Sequence, residues 1–370
     1  MKIRMLDLSE QYQLIKEEVI KKLDEVMTSS FFILGDNVRK LEADLAAYSH
    51  VAHGIGVGNG SDAIHIALQA ANVGEGDEVI TTAFTFFATS GAVMRAGATP
   101  VYVDIDPITF NIDATKIEAA ITERTKAIIP VHLYGQMADM ETIKAIADKY
   151  QLVIIEDAAQ AIGAMYKGKK AGELGKAATY SFFPTKNLGA YGDAGMIVTN
   201  HLDLAEKARI IRVHGSKPKY VHHVLGYNSR LDELQAAILN VKFPYLDKWT
   251  EARRERAFYY TQNIHEKLDH IVQTPVQVNG YYHVFHQYTL RVPNRDELKV
   301  YLEKRGIETM IYYPIPLHLQ PVFIGLGYKE GDLPETEKAA KEVISLPMYP
   351  ELKFEEQDYI IERMIEFYKR

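Results

Sequence analysis

Between residues 79 and 199 one pattern recurs: a short, almost wholly apolar run, a turn, then a helical stretch. The runs are VIT (79–81), VYVDI (101–105), AIIPVHL (127–133), LVIIE (152–156), TYSFF (179–183) and MIVT (196–199). Helical spacing falls between them, near 61–72, 86–96, 114–121, 139–150 and 202–213. A strand with no polar alternation is buried on both faces, and helices between such strands supply the cover. The pattern therefore dictates an α/β fold with a mostly parallel sheet flanked by helices. Ahead of it, residues 9–28 place Tyr12, Ile15, Val19, Leu23 and Val26 at steps of three and four, a helix with one apolar face. After residue 245 the texture changes to a long charged helix (about 246–267), short strands and more helices. We read 1–245 as a large α/β domain and 246–370 as a smaller C-terminal α+β domain.

Composition narrows the chemistry. With no Cys among 370 residues, thiol nucleophiles, thiolate-held iron–sulfur clusters, Cys zinc sites and disulfides are excluded. Lys+Arg 42 against Asp+Glu 49 leaves a net charge of −7, which disfavours nucleic acid as a partner. The densest basic run, EARRER (251–256), alternates with Glu and reads as a solvated helix face. No segment has the apolar length of a membrane helix and the first residues lack a secretory pattern, so a cytoplasmic location is expected.

Three stretches carry candidate chemistry. GIGVGNGSDAIHIAL (54–68) sets Gly58 and Gly60 directly before Ser61 and Asp62, at a helix start. Free N–H groups and the positive dipole end there suit a phosphate, although a tight turn needed only for packing reads equally well. The third glycine of G-x-G-x-x-G is missing, which weakens a dinucleotide-binding dehydrogenase reading. Gly163-AMYK-Gly168-Lys169 has phosphate-loop spacing, but Lys170 stands where Ser or Thr is required, and we treat it as a chance match. The third stretch runs from LVIIEDAAQAIGA (152–164) to TYSFFPTKNLGAYGDAG (179–195). Asp157 follows an apolar strand, where α/β folds keep ligand chemistry, and Lys186 lies in a Pro/Gly-flanked loop where an amine can act as nucleophile or base. An aspartate, a lysine, Ser181 and a phosphate-ready helix start together suggest pyridoxal phosphate. A buried structural Asp157–Lys186 ion pair is the competing reading.

The blocks FILG (32–35), GNGSDAIHIAL (58–68), TAFTFFAT (82–89), PVHLYGQ (130–136), EDAAQAIGA (156–164), SFFPTKNLGAYGDAG (181–195), GYNSRLDELQAAIL (226–239) and YYPIPLHLQ (312–320) occur in order almost end to end. This combination resembles the fold-type I pyridoxal-phosphate aminotransferases of the DegT/StrS group, which act on nucleotide-linked keto-sugars. The resemblance implies a seven-stranded-type sheet. It also implies that Lys186 is the Schiff-base lysine, Asp157 faces the pyridine nitrogen and Gln160 partners the phenolic oxygen. Gly60, Ser61 and Ser181 would hold the phosphate, Phe86 would stack on the ring, and Asn228 would reach the phosphate across a homodimer interface. Lys186 also separates the chain from a dehydratase branch of the group that carries histidine there.

For substrate, Tyr220, His222, His223 and Arg230 in KYVHHVLGYNSR, with Tyr313 and His318, are the expected sugar contacts. The K-Y-x-H-x-x-x-G-x-N-S-R pattern resembles members that aminate a 3-keto sugar. Arg230 and Arg212 are candidates for the carboxylate of a glutamate donor. The implied function is transamination of a dTDP- or UDP-linked keto-deoxysugar, with an inositol-type ketone or a catalytically silent regulatory protein as alternatives. Tyr220, His222 and His223, with His283, His286 and Tyr288, are residue types that can ligate a metal, but no third well-spaced carboxylate accompanies them, and no metal is expected.

Overall fold

The computed structural model describes residues 2–268 and 270–369. Its central sheet contains seven strands: β1 (His53–Val57), β2 (Glu78–Thr82), β3 (Thr99–Val103), β4 (Thr125–Ile128), β5 (Val153–Asp157), β8 (Ala177–Ser181) and β9 (Gly195–Thr199). They lie in the order β1-β9-β8-β5-β4-β2-β3. A ribbon formed by β6 (Met165–Tyr166), β7 (Lys169–Lys170) and β10 (Tyr281–Tyr282) accounts for the intervening numbers. Among the described strands of this sheet β9 alone runs opposite to the other six, so the mostly parallel sheet read from the sequence is present.

Consecutive strand residues feed opposite cores, as the two-residue strand period requires. Ile80, Ile128, Ile154 and Met196 pack with helices α2 (Asp36–Tyr48), α5 (Met140–Tyr150) and α7 (Glu233–Lys242). Their neighbours Val79, Ala127, Ile155 and Ile197 pack on the other face with α3 (Gly60–Ala70), α4 (Ala88–Arg95) and α6 (Leu202–Ile211). Each fully buried aliphatic side chain of this kind contributes about 1.5–3 kcal/mol. Helix α1 (Ser9–Ser29) lays Ile15 and Val19 against Ile238, Val241 and Trp249.

A third core joins α8 (Leu246–Leu268), the antiparallel pair β11 (Tyr288–Arg291) and β12 (Val343–Leu346), α9 (Arg295–Glu303) and α11 (Phe354–Tyr368). Ile3 from the opposite end of the chain joins this core and bridges Ile307. Helix α10 (Pro334–Glu342) packs Ala339 and Ala340 beside Phe84 and Val131 of the larger part. No helix among the described residues is long and apolar enough to cross a membrane.

Several local expectations are corrected. Residues 114–121 form two single 3₁₀ turns, 114–116 and 118–120, the first capped by the Asp113 carboxylate, which takes the Thr115 N–H. The sequence reading passed over β1, since Gly54 and Gly56 hide its pattern. A Cβ on Gly54 would lie 2.4 Å from the Glu42 carbonyl oxygen of α2, and one on Gly56 2.9 Å from Leu231 just before α7, so close packing excludes side chains at both. Gly163–Lys169 is part of a hairpin that turns at Lys167 and Gly168 (φ 47° and 78°), with no helix after it to cradle a phosphate. Finally, EARRER is not a solvated face. Arg253 is buried and donates to the carbonyls of Phe285, His286 and Met348, and Arg254 donates to that of His283.

Candidate active site

Parallel strands deliver their carboxyl ends to one edge of the sheet, and helices that follow them begin there. Asp157 closes β5, and Ser181 closes the neighbouring β8 with Thr179 in register with Asp157. Helix α3 begins at the same edge, two residues after β1. Its cap is Asn59, whose side chain accepts the Asp62 N–H at 2.8 Å and leaves the Gly60 and Ser61 N–H groups to the open end of the helix. Gly60 is required by proximity: a Cβ there would stand 2.6 Å from the Ser181 Cβ and 3.1 Å from its Oγ. Two chain segments distant in sequence thereby bring a hydroxyl and a helix start into one small cradle.

Asp157 is buried. Burial pushes its carboxyl up from the ordinary range; the Thr89 hydroxyl, the Ala159 N–H, Lys186 and His132 act in the opposite direction. Thr89 Oγ1 donates to Asp157 Oδ2 at 2.7 Å and the Ala159 N–H to Oδ1 at 3.2 Å. Lys186 is half-buried along its length, and burial of its amine draws it down to about 8 against the pull of Asp157. An amine so placed exchanges its proton near neutral pH.

Gln160 has one orientation. Its Oε1 accepts the Tyr134 N–H at 2.7 Å, so its amide nitrogen faces the Tyr313 hydroxyl at 3.1 Å. Tyr134 adopts a left-handed conformation (φ 58°) to make that contact, and its hydroxyl donates to the Tyr312 carbonyl. Phe86 is 57% exposed, with its ring 6.2 Å from that of Tyr313. Behind Asp157, His132 and Glu156 form a fully enclosed pair at 2.8 Å. The Ala138 N–H donates to His132 Nδ1, so the ring proton is on Nε2 and points to Glu156.

The sequence-derived residues thus divide into groups. Lys186 and Asp157 share a site, and Gln160, Tyr313 and Phe86 form a second contact chain at the same sheet edge. Gly60, Ser61 and Ser181 form the cradle. Tyr220, His222 and His223 lie on an exposed loop, Tyr220 81% exposed. Both histidines there donate to carbonyls of their own loop, His222 to His214 and His223 to Lys217. Asn228 is exposed and bridges Val213, while its neighbour Ser229 is tied to Gly58 and Asp62 at the α3 start. Arg230 is half-buried with no ion pair among the described residues.

Arg212 is not free to meet a donor carboxylate: it is buried and donates to Glu42 at 2.5 Å and to the Gly56 carbonyl at 2.7 Å. His318 is fully enclosed, its Nε2 3.1 Å from Glu337, while its Nδ1 has no hydrogen-bond partner among the described residues. Thr89, Tyr134 and Asn187 were missed by the sequence reading. Thr89 ends the aromatic block TAFTFFAT, four residues after Thr85, which is the only signal it gives.

Comparison with known proteins gives the family of the chain. A sequence model of the DegT/DnrJ/EryC1/StrS aminotransferase family matches residues 13–365. A protein of Geobacillus stearothermophilus described as a pleiotropic regulatory protein is 71% identical, covering 100% of this chain and 99% of its own. The UDP-N-acetyl-3-dehydro-alpha-D-glucosamine 3-aminotransferase of Acidithiobacillus ferrooxidans is 48% identical over 96% of this chain and 95% of its own. The crystal structure of S. venezuelae DesV in complex with a ketimine intermediate superposes with a TM-score of 0.97 at 40% identity, covering 100% and 99% of the two chains. With the family model spanning nearly the whole chain, this protein belongs to the DegT/DnrJ/EryC1/StrS aminotransferase family.

Proposed function

We propose that this chain is a pyridoxal-phosphate-dependent aminotransferase that converts a nucleotide-linked 3-keto-deoxysugar to the amino sugar, with glutamate as amino donor. One observation carries the reading: a buried carboxylate and a lysine amine drawn down to about 8 share the edge of the sheet where α3 opens. The residues fit the cofactor. The space a Gly60 side chain would need is closed off by Ser181, so backbone N–H groups of Gly60 and Ser61 and the Ser181 hydroxyl converge as an anion cradle. Gln160 is locked with its donor side toward the site, as a phenolate oxygen demands. The exposed Phe86 ring supplies an apolar face for a pyridine.

When bound, the cofactor supplies an electron sink for the pair left by a broken C–H bond. Asp157 holds a proton at the pyridine nitrogen by opposite charge in a dry setting. Lys186 takes the proton from the amino-bearing carbon and returns it on the other side of the exchange. The cradle keeps the phosphate still while these protons move. Tyr220, His222, His223, Arg230 and Tyr313 remain our assignment for the sugar, supported by their position on the exposed loop and beside Gln160.

A homodimer in the cytoplasm is part of the proposal. Leu14, Phe31, Phe32 and Ile33 are 73%, 58%, 45% and 40% exposed, and Leu225 is 93% exposed, an apolar surface suited to a second copy. Asn228 would then complete the partner's phosphate site. We also assign the chain two units, 1–245 and 246–370, supported by the separate apolar cores on the sheet and around β11 and β12.

The regulatory description of the Geobacillus relative belongs to that protein; the intact Lys186, Asp157 and Gln160 support turnover here. The test is the visible spectrum of the purified protein before and after glutamate, with Lys186→Ala beside it. Wild type shows a visible band that glutamate bleaches, and the variant folds but neither shows that band nor aminates a sugar. An active Lys186→Ala enzyme overturns the assignment.

A further inference from the structure

The loop that carries Lys186 is tied to the C-terminal part of the chain through the residue next to it. Asn187 is buried, and both ends of its amide are used. Its Nδ2 donates to the Val284 carbonyl at 3.1 Å, which turns its Oδ1 toward His286 Nδ1 at 3.1 Å. An amide oxygen only accepts, so the ring proton of His286 is on Nδ1 and its Nε2 keeps a lone pair. His286 is itself buried; burial first, then the charges of Lys186 and Arg253, keep it neutral.

The segment around His286 is held from three sides. Arg253 of α8 donates to the Phe285 and His286 carbonyls. The Val284 N–H donates to the Gly135 carbonyl and that of Gln287 to the Tyr134 carbonyl. Tyr134 is the residue that orients Gln160. Two of the site's side chains, one from each side, are therefore referred to a single four-residue strip.

We propose that His286 is a positioning residue for Lys186, acting through its Nδ1–H bond to Asn187 to hold the lysine loop closed over the amine. The proposal rests on the reading of Lys186 as the reacting amine. Charged and titratable groups around that amine are Asp157 from β5 and His286, with Arg253 acting on His286 and with Tyr313 and His132 near Asp157. None of them is altered in charge by a neutral replacement of His286. Loosening the loop lets water reach the amine, relieves its desolvation and raises its proton affinity toward that of an ordinary lysine.

The test uses the full chain stripped of cofactor and pulsed with acetic anhydride across a pH series, with acetylation of Lys186 read by mass spectrometry. Wild type gives a midpoint near 8. His286→Asn places an amide N–H where Nδ1 was and keeps that midpoint. His286→Gln carries its amide one methylene too far to reach Asn187. It moves the midpoint up by about one unit, which cuts labelling at pH 8 roughly fivefold. Asn187→Ala moves it the same way and provides the second variant if His286→Gln does not fold. Wild-type midpoints in folded His286→Gln and Asn187→Ala refute the proposal. So does an equal shift in His286→Asn and His286→Gln, which would mean the ring only fills space. The label reports on the amine whether or not a sugar is turned over, so a failure of the transaminase reading appears in the Lys186→Ala assay and not here.

Discussion

Thr89→Val removes one hydroxyl from the most consequential carboxylate in the protein and leaves the volume nearly unchanged. Thr89 is fully buried; its Oγ1 donates to Asp157 Oδ2 at 2.7 Å and lies 3.1 Å from the Thr85 hydroxyl. A hydrogen bond to an ionised acceptor is worth about 1.5–3 kcal/mol. At about 1.4 kcal/mol per pH unit, its loss raises the proton affinity of Asp157 by roughly one to two units. The direction follows from the site: burial already pushes this carboxyl up, and Thr89 is the foremost influence holding it down. If the ionised form is the one that keeps a proton on the cofactor nitrogen, activity is present above the Asp157 midpoint and lost below it. Thr89→Val must then shift the acid limb of the kcat/KM profile upward by about one to two pH units. The alkaline limb stays where it is, since Thr89 makes no hydrogen bond to Lys186. Thr89→Ser, which keeps the hydroxyl, retains the wild-type limb. Steady-state rates from pH 5 to 9 decide the matter, and an acid limb in Thr89→Val that coincides with wild type refutes the coupling of Asp157 to turnover.

Two further perturbations probe the cradle and the layer beneath it. Gly60→Ala drives a methyl to 2.6 Å from the Ser181 Cβ and forces the helix start and β8 apart. Overpacking of this kind costs about 1–3 kcal/mol, so cofactor affinity measured by spectroscopic titration falls roughly 5- to 150-fold. Unchanged affinity in Gly60→Ala would separate the helix start from phosphate binding. Glu156→Ala removes the acceptor shared by His132 and the N–H groups of Gly172, Leu174 and Gly175. Leaving these donors buried lowers the unfolding free energy by about 3–5 kcal/mol, read from the urea midpoint, and a loss well under 1 kcal/mol would contradict the pairing.

The sheet was legible in the sequence because strands buried on both faces leave continuous apolar runs, as in 152–155. Strand β1 was not, because the glycines that let α2 pack closely also erase the apolar pattern. The EARRER run misled for a related reason: periodicity registers charge, while the three carbonyls that satisfy Arg253 come from Phe285, His286 and Met348, more than thirty residues away.

The site divides along the same line. Asp157, Lys186 and the Gly60–Ser61 helix start could be proposed from contiguous motifs, and Gln160 from the family resemblance that those blocks carry. Tertiary structure alone decided the rest: which hydroxyl steadies Asp157, which way the Gln160 amide points, and that Arg212 and His318 are already engaged. Hydrogen-bond partners such as Thr89 for Asp157 and His286 for Asn187 lie 68 and 99 residues apart. A partner at such separation is selected by where the strands end in space, and sequence spacing carries no record of it.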